Sequence, residues 1–291
     1  MAIVEEQLGP HDSAEAARKV WVLAPSQFEA LHGLHNSNLY IPPVEEVTLW
    51  HPTGFQSALN PQLDWAAIEE AYLSQEVPVF YFDNFLAPAA LEALIKYTLE
   101  ASVWFDVKLG YFGAYLNNGF TSPWLLQIAQ ELPKRLPKIL GEMVITNIWA
   151  YKYDSSQDTT GIKVHADNAE VNLNFWVTPD SANLDPSSGG LIVYPTLPPE
   201  GFSFADFNSI TAEGDIKALL AEQGVLDSAI HVPYKQNRCV MFDSLLLHET
   251  APFNFKNGYE NRRINLTFLF SRPGSERVIP QESFTYKPAP E

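Results

Sequence analysis

Two hydrophobic rhythms divide this chain. Up to about residue 143 apolar positions recur at helical spacing. Residues 64–72 read as a helix with Asp64 as its cap and Trp65, Ile68 and Tyr72 on one face. Residues 77–82 form an apolar, strand-like run. Ala87-Pro88 opens a second helix, with Leu91, Leu94, Ile95 and Thr98 as its inner face and Pro88 suited to its first turn. Ser122-Pro123 opens a third, expected to run to about Leu132, where Pro133 and Pro137 would fray its end.

From Val144 onward the rhythm changes to short, turn-bounded runs. Residues 144–153, 171–178, 190–194, 238–242 and 263–270 read as strands, a spacing that predicts a closed or sandwiched β unit. Residues 204–229 interrupt it. Ile216, Leu219, Leu220 and Gln223 within that stretch have helical spacing, and Gly224 is placed to end the helix. Ile41-Pro42-Pro43 and His51-Pro52-Thr53-Gly54 break regular structure near the N-terminus, and no internal repeat is visible. The expected organisation is one compact domain: an arm over 1–60, a helical buttress over 61–143, a β core over 144–272 with an insert at 204–229, and an extended tail over 273–291.

Composition narrows the class. The chain has 291 residues, 46% hydrophobic and 13% aromatic, enough for a sizeable packed core. A net charge of −17 argues against a nucleic-acid partner and against an anionic membrane surface, because both need clustered Lys and Arg. The charge reads as solubility rather than steering of a cationic substrate. The single cysteine, Cys239, excludes an internal disulfide and lies in an apolar run as a small buried hydrophobe. The first residues show neither a basic region nor an apolar one of the secretory kind, and no apolar run reaches membrane-spanning length, so a reduced cytoplasm is the expected compartment.

The chemistry gathers around two histidines and an aspartate. His165 and Asp167 are two apart, so on an extended segment both side chains point the same way. His248, after Leu245-Leu246-Leu247, is read as leaving a buried strand for a turn from which it can reach into a barrel. Two imidazoles and one carboxylate can occupy one face of an octahedral metal, an arrangement suited to non-haem Fe(II) with open positions for a co-substrate and dioxygen. His231 is read as a loop or substrate-side residue, and His32, His35 and His51 as structural or surface residues.

Four pieces in order, HAD (165–167), SGGLIVYP (188–195), NRCVMFDSLLLHETAP (237–252) and RRINLTFLF (262–270), resemble the double-stranded β-helix core of the 2-oxoglutarate/iron(II)-dependent dioxygenases, in particular the prolyl-hydroxylase-like branch. The resemblance spans less than half of the chain. It implies a mainly β fold, a jelly-roll core buttressed by the N-terminal helices. It also implies Fe(II) held by His165, Asp167 and His248, with 2-oxoglutarate and dioxygen as co-substrates.

The distal carboxylate of 2-oxoglutarate needs a buried cation, and arginine can hold it bidentately while staying charged. Period-2 geometry separates the two candidates: Arg263, Asn265 and Thr267 share one face, and Arg262, Ile264, Leu266 and Phe268 the other. The polar set fits a cavity, so Arg263 is the expected anchor. The resemblance places its arginine there too, with Thr267 as a supporting hydroxyl. The same alternation puts Asn172, Asn174 and Trp176 on one face of their strand, with Asn174 as a hydrogen-bonding partner of the keto acid and Trp176 as a wall. Trp149, Tyr151 and Tyr153 also share a face; the resemblance implies a tyrosine hydroxyl on the co-substrate, Tyr153 first and Tyr151 second.

The expected activity is a 2-oxoglutarate-dependent oxygenase that hydroxylates an unactivated C–H bond of a small molecule or peptidyl residue, releasing succinate and CO2. The presence of Asp167 argues for hydroxylation or desaturation over halogenation. Alternatives are a metal- or ligand-binding barrel without turnover, or a cupin-type metal enzyme that does not use 2-oxoglutarate. The insert, with Phe202, Phe204 and Phe207 at its start, is expected to border the pocket as a lid. Its alternative is a static buttress outside the barrel.

Overall fold

The computed structural model describes residues 57–104, 106–108, 110–156, 161–198 and 213–275, together with Pro25 and Ser26. Nearly all of the arm expected over 1–60, the aromatics Phe202, Phe204 and Phe207, and the tail beyond Ser275 lie outside the described residues.

Among the described residues, four helices lie in the N-terminal half of the chain. Helix α1 (Trp65–Leu73) is capped by the Asp64 carboxylate, which accepts from the Ala67 N–H, and it buries Trp65, Ile68 and Tyr72 as expected. Strand β1 (Val79–Phe82) follows. Helix α2 (Pro88–Glu100) buries Ala90, Ala93, Leu94, Tyr97 and Thr98. Its buried stripe is rotated from the expected one: small alanines and the Tyr97 ring face the core, and Leu91 and Ile95 flank it half-buried. Helix α3 (Pro123–Arg135) starts at a Ser122 cap and runs through Pro133 rather than fraying there. Pro133 lacks the N–H that would bond the Ala129 carbonyl, and the helix ends two residues later. Pro137 opens the short helix α4 (Pro137–Leu140), a first-turn position that suits it.

The remaining strands are β2 (Asp106–Lys108), β3 (Tyr111–Tyr115), β4 (Val144–Tyr153), β5 (Val171–Trp176), β6 (Leu191–Val193), β7 (Ile230–Val232), β8 (Cys239–Asp243), β9 (His248–Thr250) and β10 (Arg263–Ser271). They form two antiparallel sheets. The larger has the order β1-β8-β5-β10-β4-β3-β2, and the smaller β7-β6-β9. His165 extends the smaller sheet by a bridge to His248. Along the chain the path passes from β4 in the large sheet to the His165 segment in the small one. It returns to β5, crosses to β6 and β7, returns to β8, crosses to β9 and returns to β10. This alternation is a jelly roll, a double-stranded β-helix.

Period-2 alternation sorts the side chains into layers. On the outer face of the large sheet, Ile148, Ala150, Leu173, Phe175, Ile264, Leu266 and Phe268 pack against the N-terminal helices in one core. Between the sheets, Trp176, Leu191, Val193, Val232, Tyr234, Val240, Phe242 and Phe255 form a second. A third cluster lies outside the small sheet: Ile216 and Leu220 of helix α5 (Glu213–Glu222) pack on Val164, Ala166, Tyr194 and Leu247. Val164 and Ala166 alternate with His165 and Asp167, so α5 braces the back of the ligand-bearing segment. This part of the insert is a buttress, which corrects the lid expectation for its helical portion. Gly224, at φ +66°, ends the helix as expected.

Three further readings change. His231 lies on β7, exposed, rather than in a loop. His248 does not leave a strand; it opens one. Residues 244–247 are a turn, begun by the Asp243 carboxylate accepting from the Leu245 N–H, and it is apolar because Leu246 packs into the core between the sheets and Leu247 into the one behind the small sheet. The β2–β3 ribbon had no expected counterpart.

Candidate metal and co-substrate site

The bridge between His165 and His248 places their rings 4.2 Å apart, between the two sheets. Asp167 joins them, its Oδ1 3.7 Å from His165 Nε2 and its Oδ2 3.4 Å from His248 Nε2. One ligand atom from each residue lies within 4.8 Å of the others, the one group of three such side chains found among the described residues. Both histidines commit Nδ1 to a backbone carbonyl, His165 to Lys163 O at 2.7 Å and His248 to Leu246 O at 2.8 Å. A carbonyl only accepts, so Nδ1 carries the hydrogen and Nε2 of each neutral ring is left as a lone-pair donor toward Asp167. Burial, followed by the proximity of His248, pushes the His165 imidazole down to about 4, which keeps it neutral and ready to ligate at pH 7. Burial pushes the Asp167 carboxyl upward; the contacts with His248, His165 and the Asn172 amide outweigh it and hold the carboxyl below its ordinary value. A carboxylate facing two bare imidazole nitrogens is a donor set that fits a divalent cation. The open side is that of His165 and Asp167, with side chains 21% and 13% exposed against 2% for His248.

Arg263 begins β10 on the face that looks between the sheets and is 1% exposed. Its Nε donates to Gly189 O at 2.5 Å, its Nη2 to Gly190 O at 3.0 Å and its Nη1 to Asn265 Oδ1 at 3.1 Å. Its remaining N–H capacity is what a ligand carboxylate could take. The SGG segment is thereby explained. Gly189 has φ +86°, and a Cβ on Gly190 would stand 1.8 Å from Val232 O, so only glycine lets these carbonyls reach the guanidinium. Arg262 faces the other way, paired with Asp154.

The other expected residues fall around this anchor. Tyr153 is buried beneath the guanidinium, whose carbon lies 4.8 Å from the ring centroid, and its hydroxyl is 3.3 Å from Thr250 Oγ1. Burial pushes its hydroxyl upward against the opposing pull of Arg263. Tyr151 is turned aside, with its hydroxyl 3.3 Å from that of Tyr115. Trp176 is a buried wall, 5.8 Å from the Arg263 guanidinium, with its indole N–H unpartnered. Asn174 Oδ1 accepts from Asn265 Nδ2 at 3.1 Å, and Thr267 Oγ1 lies 3.5 Å from the same nitrogen.

Sequence reasoning gave no role to several neighbours. Asn172 donates to Asp167 Oδ2 at 2.8 Å and fixes that carboxylate. Tyr111 and Tyr115 of β3 stand opposite Tyr153 and Trp149 in register, and the Tyr115 hydroxyl donates to Asp106 at 2.8 Å. The signal was present as alternation in Tyr111-x-Gly113-x-Tyr115, flanked by too few periodic residues to read as a strand.

No family model matches this chain, and no curated protein matches it. Solved structures do. A 2OG-Fe(II) oxygenase family oxidoreductase from Burkholderia pseudomallei is 12% identical, covering 75% of this chain and 96% of its own, with a TM-score of 0.45. A prolyl-4-hydroxylase from Pseudomonas putida is 15% identical over 72% of this chain and 100% of its own, with a TM-score of 0.44. The non-heme alpha ketoglutarate dependent epimerase SnoN from nogalamycin biosynthesis is 13% identical over 78% and 93%, with a TM-score of 0.47.

Proposed function

We propose that this chain is a 2-oxoglutarate-dependent Fe(II) oxygenase that hydroxylates an unactivated C–H bond of a small molecule or peptidyl residue. The observation that carries the reading is the pairing, between two sheets, of a converging His165/Asp167/His248 donor set with a buried arginine held by backbone carbonyls. His165, Asp167 and His248 would hold Fe(II) through Nε2, a carboxylate oxygen and Nε2. When bound with 2-oxoglutarate and dioxygen, the iron supplies oxidation of the C–H bond, with release of succinate and CO2.

The chain's residues supply binding and exclusion. Arg263 receives the distal carboxylate, in a setting dry enough for the charge pair to be strong. Tyr153 and Trp176 wall the anchor, and Asn174 and Thr267 offer polar contacts to the rest of the co-substrate. The backbone bonds to Nδ1 orient both imidazoles, and no protein acid or base is required. An intact Asp167 supports oxygen transfer over halogenation, since a halide would need that ligand position. The test is succinate formation from 2-oxoglutarate in air. The reading expects a strict requirement for Fe(II) and its loss in His165→Ala; succinate formed at an undiminished rate by that variant would contradict it.

A further inference from the structure

Between the two anchors runs an unbroken line of side-chain amides. Arg263 Nη1 donates to Asn265 Oδ1 at 3.1 Å. Asn265 Nδ2 donates to Asn174 Oδ1 at 3.1 Å. Asn174 Nδ2 donates to Asn172 Oδ1 at 3.4 Å, and Asn172 Nδ2 donates to Asp167 Oδ2 at 2.8 Å. All three asparagines are buried. They sit on adjacent strands with alternating positions on one face, since Thr267 is the register partner of Asn174 and Trp176 that of Asn265.

The sense of the line follows from its ends. A guanidinium can only donate and a carboxylate can only accept, so each amide between them must present oxygen toward Arg263 and nitrogen toward Asp167. Turning any one of them over would set two acceptors face to face on one side and two donors on the other. A line of hydrogen bonds with one sense polarises cooperatively in a low-dielectric interior. The cation at one end draws electron density along it, away from Asp167.

We propose that Asn265, Asn174 and Asn172 are positioning residues that form a polarised relay, coupling the charge at Arg263 to the electron density of Asp167. An anion seated on Arg263 would relax that pull and leave Asp167 a stronger metal ligand. By linkage, a metal at Asp167 would favour the anion equally. The relay rests on the anchors assigned under the proposed function. It adds that they communicate through the protein as well as through any ligand spanning them.

The test is a double-mutant cycle read by Co(II) binding, with no 2-oxoglutarate present. Co(II) affinity and its visible absorption are measured for the wild type, Arg263→Gln, Asn174→Leu and the double variant, each checked for folding by circular dichroism. Arg263→Gln removes the charge and keeps a donor. In the intact relay it should tighten Co(II) binding by about threefold or more. In the Asn174→Leu background that change should fall back toward unity, because the line is cut. Asn265→Leu must reproduce the Asn174→Leu result, an equivalence that local packing would not produce, and it replaces Asn174→Leu if that variant does not fold. The same fold-change from Arg263→Gln in cut and uncut backgrounds overturns the relay while leaving the metal site standing. A wild-type chain that binds no Co(II) overturns the metal site and the relay together.

Discussion

At the residue scale, some side chains of the site cannot be exchanged even for a neighbour of the same type. Arg262 and Arg263 are neighbours of identical chemistry, yet one pairs with Asp154 and the other is buried against Gly189 and Gly190. Arg263→Leu should therefore weaken 2-oxoglutarate by about 3–5 kcal/mol, the cost of leaving a buried carboxylate without its partner. Arg262→Leu should leave the KM for 2-oxoglutarate unchanged. Steady-state kinetics on the two variants decides it, and the reverse pattern would put the anchor on the wrong arginine. Period-2 alternation makes this distinction legible in the sequence, as it does the separation of Asn172, Asn174 and Trp176 from Leu173 and Phe175. What alternation does not carry is partnership. It puts Asn172 on the cavity face, but only the fold brings its amide to Asp167, across a turn that the sequence does not announce.

At the scale of elements, the glycine pair before β6 and helix α5 make opposite predictions. A Cβ on Gly190 would collide with the Val232 carbonyl and the backbone of Pro233 and Tyr234. Gly190→Ala should lower stability by about 1–3 kcal/mol through strain. It should also raise the KM for 2-oxoglutarate, because the Gly190 carbonyl holds Arg263. In helix α5, Leu220→Ala should cost about 2–5 kcal/mol of stability, as buried leucines do, with 2-oxoglutarate binding intact. Denaturant melts of both variants alongside their kinetics would show it; a Leu220→Ala that binds 2-oxoglutarate poorly at full stability would return a functional role to α5. Long elements were legible for a physical reason: β4 and β10 run for ten and nine residues, enough alternation to show which face is buried. Strands β2, β3, β7 and β9 span three to five residues, too few for alternation to show. The three leucines before His248 misled in the other direction, being an apolar turn that sends Leu246 and Leu247 into two different cores.

At the scale of the whole molecule, the helical buttress and the β-helix meet around a buried amine. Lys152 lies on the outer face of β4 with no solvent exposure. Its Nζ donates to Thr98 O of α2 and the Tyr259 hydroxyl, over the rings of Trp104 at 4.3 Å and Tyr259 at 4.1 Å. Burial, and then the nearby Arg262, push the ammonium down from its ordinary 10.5 to about 6. Between those values the unfolded chain binds more protons than the folded one, so stability rises with pH across that window and is lowest toward pH 6. Lys152→Met should remove this dependence and raise the Tm at pH 7, with the gap to the wild type closing as pH approaches 10. Melts that keep the same pH slope in both chains would mean the amine stays charged in the fold. The proposed function requires the three-residue donor set and the buried arginine, both between the sheets, to serve one 2-oxoglutarate molecule. Anaerobic addition of Fe(II) and 2-oxoglutarate to the purified chain tests it most directly. The expected result is a visible charge-transfer band that saturates at one Fe(II) per chain, disappears in His248→Ala and needs far more 2-oxoglutarate in Arg263→Leu. A chain that binds Fe(II) but gives no band with 2-oxoglutarate would contradict it.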